Sequence, residues 1–265
     1  MQRKVRILDI LSMNSFVKVT DLANMLSVSQ VTLRKDLDYF ENRGILHRTH
    51  GYVSLDGADD TGRRIAFSYA NKIKIARAAA HIIKEGETVL VESGSCCALF
   101  AEELALSKKN ITIVTNSSFI AASVSKLPGA KVILLGGYFQ PESKVLVGSI
   151  TSRCVETICF DKFFLGVDGF KPELGFTGKD FLRVETSIEL SKRASKIYVL
   201  TESAKFNRSS AFELLSFDKI NGVFTDNNIP DIAESVMIKN NVHVHKVPAS
   251  EDYYVNSKKP TLVHS

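Results

Sequence analysis

Seven short runs rich in β-branched and aromatic residues recur between residues 87 and 247: ETVLVES, NITIVTN, AKVILLGG, FDKFFLGVD, KIYVLTES, KINGVFTD and NVHVHKV. Side chains of that kind fit a pleated, largely buried surface, and several of the intervening stretches carry helical spacing. The alternation predicts an α/β sheet with helices around it, the first four runs forming its core strands and the last three joining later. A chain of 265 residues with 45% hydrophobic composition can bury such a core and still carry a second, smaller domain.

Other classes fit poorly. No apolar run approaches the length needed to cross a bilayer, and the opening MQRKVRILDI mixes charges into its apolar positions, unlike a signal peptide. A cytoplasmic protein with no membrane partner is expected. Cys96, Cys97, Cys154 and Cys159 form neither a disulfide framework nor metal-ligand spacing, so no metal and no cofactor is implied. The net charge of +5 suits an anionic partner without choosing one.

The first 55 residues hold eight Lys or Arg against five Asp or Glu, a modest bias that needs geometry before it means nucleic acid. Val5, Ile7, Leu8, Ile10 and Leu11 predict an amphipathic helix, followed by a polar turn at Ser12, Asn14 and Ser15. Thr20 is placed to cap a second helix that packs through Leu22, Ala23, Met25 and Leu26. A third helix over Gln30 to Asn42, capped by Ser29, is expected to pack through Val31, Leu33, Leu37 and Phe40. Gln30, Thr32, Arg34 and Lys35 then lie near its start, where a helix end in a major groove sets side chains against base edges and phosphates. Asp36 and Asp38 interrupt any simple basic stripe. Gly44 is suited to stop the helix, and His47 to Gly51 to turn a hairpin. From that wing Arg48 and His50 could reach a phosphate or the minor groove. The competing reading is a solvated helix face beside a histidine that only supports its turn.

Val28, Ser29, Thr32, Leu33, Arg34, Lys35, Asp36 and Leu37, followed by Arg48, His50 and Gly51, resemble the DeoR family of bacterial transcriptional regulators. Tyr52 stands where the family's His-Gly-Gly ending has its second glycine. The resemblance implies a winged helix-turn-helix over residues 1–55 that binds double-stranded operator DNA as a homodimer or higher homo-oligomer. Residues 56–72, opening with the polar DGADDTGRR, are expected to be a linker, residues 73–248 an α/β sensor and oligomerisation domain, and residues 249–265 a terminal extension. Ile73, Ala76, Ala80 and Ile83 predict a bridging helix, with Lys72, Lys74 and Arg77 on its charged, solvated face.

Several strand ends carry residues suited to an anion. Ser93, Gly94, Ser95 and Cys96 form a plausible β-to-helix turn whose backbone donors could hold phosphate oxygens. Thr115 and Asn116 make a second cluster and Gly136 and Gly137 a third; none matches a Walker loop or dinucleotide fingerprint. With Gly166 to Gly169 and Ser203 to Phe206, these turns resemble the sensor domain of the same family, itself similar in fold to ribose-5-phosphate isomerase. A phosphorylated sugar is the implied effector, with Lys205 its charge partner, Asp168 orienting a hydroxyl, and Arg183 or Glu185 closing the pocket. Glu92 and Cys96 replace the family's usual aspartate and threonine. A sugar-phosphate isomerase is the rival function, since Asp168, Glu185 and Lys205 supply the chemical types an enediolate mechanism uses. Against it, the isomerase's Asp-Gly-Ala-Asp reads Leu165-Gly166-Val167-Asp168, and its Lys-Gly-Gly region reads Gly175-Phe176-Thr177-Gly178. No catalytic residue is therefore assigned.

Overall fold

The structure, a computed structural model, describes residues 2–14, 16–55, 57 and 60–249. Ser15 of the expected turn, Asp56, Ala58 and Asp59 of the expected linker, and the expected extension from residue 250 onward lie outside the described residues.

Helix α1 (Gln2–Met13) buries Ile7, Leu8 and Leu11. Strand β1 (Phe16–Lys18), which the sequence does not advertise, leads into α2 (Val19–Met25) and α3 (Gln30–Glu41). Leu33, Leu37 and Phe40 follow an i, i+4, i+7 spacing and form the buried side of α3. Val31 does not join them: at 3.6 residues per turn it falls on the opposite side, and it is 65% exposed. Met25 is likewise exposed at the end of α2, and Thr20 sits inside that helix, whose N-cap position is Lys18 with no side-chain cap bond. Ser29 does cap α3, its Oγ accepting the Thr32 N–H at 3.2 Å, an arrangement worth about 1 kcal/mol. Gly44, at φ +66°, ends the helix: Ile45 N donates to Phe40 O at 3.0 Å and Gly44 N to Glu41 O at 2.9 Å, satisfying carbonyls of the last turn.

The wing consists of β2 (His47–Thr49) and β3 (Tyr52–Ser54). Its turn is narrower than expected, only His50 and Gly51, both at positive φ as a two-residue hairpin requires. Tyr52 begins β3, where it pairs with Lys18 of β1, so the wing is a three-stranded sheet.

The polar DGADDTGRR stretch is partly helical. Asp60 accepts the Arg63 N–H at 3.2 Å and caps α4 (Thr61–Ala66), which buries Thr61, Gly62, Ile65 and Ala66. Helix α5 (Tyr69–Ala80) follows. Beyond it the chain runs β4 (Thr88–Val91), α6 (Ser95–Ser107), β5 (Ile111–Thr115), α7 (Ser118–Val124), β6 (Ala130–Leu134), β7 (Tyr138–Gln140), β8 (Val145–Val147) and α8 (Ser149–Cys154). It continues through β9 (Lys162–Leu165), β10 (Gly169–Lys171), β11 (Gly175–Gly178), α9 (Phe181–Ser191), β12 (Lys196–Leu200), β13 (Phe212–Leu215), β14 (Gly222–Asp226), α10 (Asp231–Lys239) and β15 (His243–Val247).

All seven β-rich runs become strands of one parallel sheet, ordered β15-β14-β12-β9-β4-β5-β6. Chain order reverses between β4 and β9, so the loops leaving those two strands diverge and open a crevice at their carboxyl ends. An antiparallel sheet β10-β11-β13 and a hairpin β7-β8 lie outside the main sheet. The helix-turn-helix unit shares one apolar core with α4, α5, α6 and α7. At this seam Phe40 meets Tyr69 edge to face at 5.9 Å, and the nearly buried Arg43 and Glu102 pair at 3.4 Å.

Candidate functional site

Two surfaces carry the chemistry anticipated in the sequence. On the first, α3 exposes Gln30, Val31, Arg34 and Lys35, with Thr32 half-buried and its Oγ1 3.0 Å from Ser29 Oγ. Neither aspartate is left to oppose a polyanion by itself. Asp36 is buried and bonded by Arg3, while Asp38 pairs with Arg48 at 2.6 Å. Arg48 also donates from Nε to Glu41 at 2.9 Å and from its backbone N–H at 3.0 Å, so it fastens the wing to α3. His50 stands exposed at the wing tip. Ser29, Gln30, Thr32, Arg34 and Lys35 are thus gathered at one helix start, with Arg48 turned into that helix's own carboxylates.

The second surface is a cavity of about 440 Å³ at the switch point. Strand β4 delivers Glu92, Ser93, Gly94, Ser95 and Cys96 to it, β9 delivers Gly166 to Asp168, and β12 delivers Thr201 and Glu202. Gly94 takes φ +135°, closed to most side chains, and a Cβ there would lie 3.7 Å from the Cα of Gly166, so the two strand-end loops pass closely. No side chain caps α6, whose amino-terminal end opens from this turn.

Lys205 reaches the cavity from a short 3-10 turn, Ser203–Asn207. Next to it Phe206 packs edge to face on Phe170 and Phe176, anchoring the turn in the small antiparallel sheet. Asp180 caps α9 by accepting the Arg183 N–H at 2.9 Å, and this sets Arg183 at the cavity wall. Asp168 accepts the Lys179 N–H at 3.1 Å, so it braces its own loop as well as facing the cavity.

Five expected contacts are not brought in. Thr115 is fully buried with its Oγ1 accepting the Ser117 N–H at 3.1 Å, and Asn116 spends its amide on Leu146 O at 3.1 Å. Thr115 ends β5 and Asn116 follows it, one strand beyond the switch point. Gly136 and Gly137 pack against α8, where a Cβ on Gly137 would collide with Thr151. Glu185 points to solvent from the outer face of α9.

In their place the structure supplies residues the sequence reading passed over: Arg64, Lys72, Lys179, Glu202 and Arg208. Lys72 is the sharpest correction. Expected on a solvated face, it is 1% exposed, pairs with Glu202 at 3.6 Å and donates to Phe67 O at 2.6 Å. Its sequence signal was its phase, since it falls in the buried stripe Tyr69, Lys72, Ala76, Ala79.

Six basic side chains and four acidic ones face this space. Burial by itself would raise the Glu202 carboxyl, but Lys72 and Lys205 outweigh it and hold it below its ordinary pKa. Lys205 is itself pulled down by burial, against Glu202 and Asp168. Glu92 is pushed up to about 7 by burial, although the Gly166 N–H at 3.3 Å and the Ser93 hydroxyl at 3.2 Å favour its charged form. The Ser187 hydroxyl also lies 3.3 Å from Glu92. Cys96, donating to Glu202 at 3.6 Å, is pushed well up by burial and stays a thiol. A net positive cavity of this kind suits an anion that also presents hydroxyls.

Residues 3–57 match the DeoR-like helix-turn-helix domain, and residues 68–227 match the DeoR C terminal sensor domain. The chain belongs to the DeoR family. It is 28% identical over 234 residues to the lactose phosphotransferase system repressor of Lactococcus lactis subsp. lactis, covering 86% of this chain and 90% of that one. To the L-fucose operon activator of Haemophilus influenzae it is 25% identical over 217 residues, covering 80% and 86%. A solved structure of D-ribose-5-phosphate isomerase in complex with phospho-erythronic acid is 17% identical, with a TM-score of 0.37 and coverage of 51% and 52%, too distant to bring its chemistry with it. This DeoR-family chain is a transcriptional regulator with a DNA-binding helix-turn-helix and a carboxy-terminal sensor domain, rather than an enzyme. Among the described residues no helix is long and apolar enough to cross a membrane.

Proposed function

We propose that this regulator represses a carbohydrate-utilisation operon, binding its double-stranded operator as a homodimer, and that a phosphorylated sugar in the switch-point cavity lowers its affinity for that operator. One observation carries the reading. The cationic cavity takes part of its wall, Arg64, Phe67, Ser68 and Lys72, from the same α4–α5 segment that packs against the helix-turn-helix unit. Occupancy is thereby felt where the two units meet. Ser93, Ser95, the start of α6, Arg183 and Lys205 are the groups proposed to hold the phosphate and hydroxyls, and Gln30, Arg34 and Lys35 those proposed to meet DNA.

For the cavity to act as a switch, the ligand must bind two arrangements of the protein unequally; a tenfold drop in operator affinity needs about 1.4 kcal/mol of coupling. The test is operator binding by the purified protein on its neighbouring promoter, repeated across a panel of sugar phosphates. Release by one phosphorylated sugar and not by its unphosphorylated form supports the reading. A promoter whose transcription collapses when the gene is deleted would make the protein an activator, and indifference to every phosphorylated sugar would remove the effector assignment.

A further inference from the structure

Helix α4 is held at both ends by different partners. At its start, a Cβ on Gly62 would lie 2.4 Å from Gly44 O and 2.9 Å from the Ile45 Cα, so the helix rests directly on the backbone that closes α3. The same end is tied to the sensor by the Asp60–Lys144 pair at 2.6 Å and by Thr61 Oγ1 donating to Ser143 O at 3.3 Å. At its far end the Lys72 ammonium donates to Arg64 O and Phe67 O, carbonyls of the last turn and the residue beyond it, which have no onward helix to satisfy them. That ammonium simultaneously faces Glu202 at the end of β12.

The corner between α4 and α5 carries a second sign of constraint. Ser68 adopts φ +51°, a conformation uncommon for a residue with a Cβ, and both Ser68 and Phe67 line the cavity. Arg64 faces the same space, and its Nε is buried with no hydrogen-bond partner. The carboxyl end of α4, besides packing Ile65 and Ala66 into the core, is therefore tied by a buried cation whose counter-ion, Glu202, lines the cavity.

We infer that Lys72 is the positioning residue through which the cavity sets the seat of the helix-turn-helix unit: it ties the carboxyl end of α4 to Glu202, and α4 in turn bears on the Gly44–Ile45 backbone. This rests on the cavity being the effector site. An anion entering beside Glu202 competes for Lys72 and is drawn to Arg64, which loosens the α4 carbonyls and shifts the helix on which α3 is seated. Lys72 acts through α4 and does not itself touch DNA.

A double-mutant cycle on operator affinity, run on the full chain without any effector, tests this. Lys72→Met removes the tether at one end of α4, and Gly62→Ala forces the other end off its seat. Each single variant is expected to weaken operator binding about tenfold, and the double variant no more than either alone, because both act on one helix; independent structural damage would instead multiply to about a hundredfold. Operator affinity unchanged in either single variant, or losses that multiply, would overturn the inference. Should Lys72→Met fail to fold, Glu202→Gln takes its place in the cycle with the same expectation. Because no sugar is added, this cycle can fail while the sugar-phosphate titration succeeds, and the reverse.

Discussion

Replacing Glu92 by glutamine should change how the protein's stability depends on pH. The carboxyl sits between the loops of β4 and β9 and is buried, which disfavours its charge and pushes its pKa up from 4.5 to about 7. The folded state therefore holds this proton more tightly than the unfolded state does. The resulting stability is fully present below pH 4.5, declines as pH rises, and is lost above about 7. At about 1.4 kcal/mol per pH unit, the difference corresponds to roughly 3 kcal/mol between acid and mildly alkaline solution. Glutamine cannot ionise, so Glu92→Gln should gain about that much relative to the parent as pH rises from about 4.5 to about 8. Urea unfolding of both proteins at a series of pH values measures it directly. Parallel stability curves for parent and variant would show that Glu92 ionises normally and that the burial argument is wrong. An anionic effector beside Glu92 should add a second signature: parental effector affinity falls as pH rises through 7, relative to the variant.

Three further outcomes follow from the two surfaces. Arg34→Ala or Lys35→Ala should weaken operator binding and reduce the slope of log affinity against log salt by about 1 where the lost contact is to phosphate; a base contact instead changes the preference among operators. Val31→Ala, at an exposed position of α3, should leave stability within about 0.5 kcal/mol in thermal or urea unfolding, whereas a packed valine would cost more than that. Lys205→Ala should lower sugar-phosphate affinity by about tenfold or more, as expected of a charge-assisted contact, and leave effector-free operator binding unchanged in the same gel-shift series.

Much of this molecule could be read from its residues because the strongest signals are periodic and local. Each β-rich run became a strand of the main sheet: the central strands bury β-branched residues on both faces, while the edge strands β6 and β15 stay largely exposed and join by pairing with β5 and β14. Ser29 and Gly44 marked the ends of α3 through their own backbone chemistry. What escaped was long-range. The short strands β1 and β13 draw their stability from partners distant in sequence, as Phe176 of β11 does in pairing with Leu215. Thr115 and Asn116 look like ligand groups in isolation, but the strand order puts them beyond the switch point, where they serve a neighbouring turn. Lys72 was misplaced for the opposite reason: lysine is normally solvated, and only the corner at Ser68 and the arrival of Glu202 from β12 make its burial affordable.

The most direct measurement follows operator affinity and cavity occupancy together in one sample: the full-length protein titrated with its releasing sugar phosphate, binding followed by calorimetry and DNA retention by gel shift. DNA release should rise in step with occupancy, and Lys205→Ala should move both curves to higher ligand concentration. A protein that holds its operator equally well with the cavity filled and empty would contradict the account.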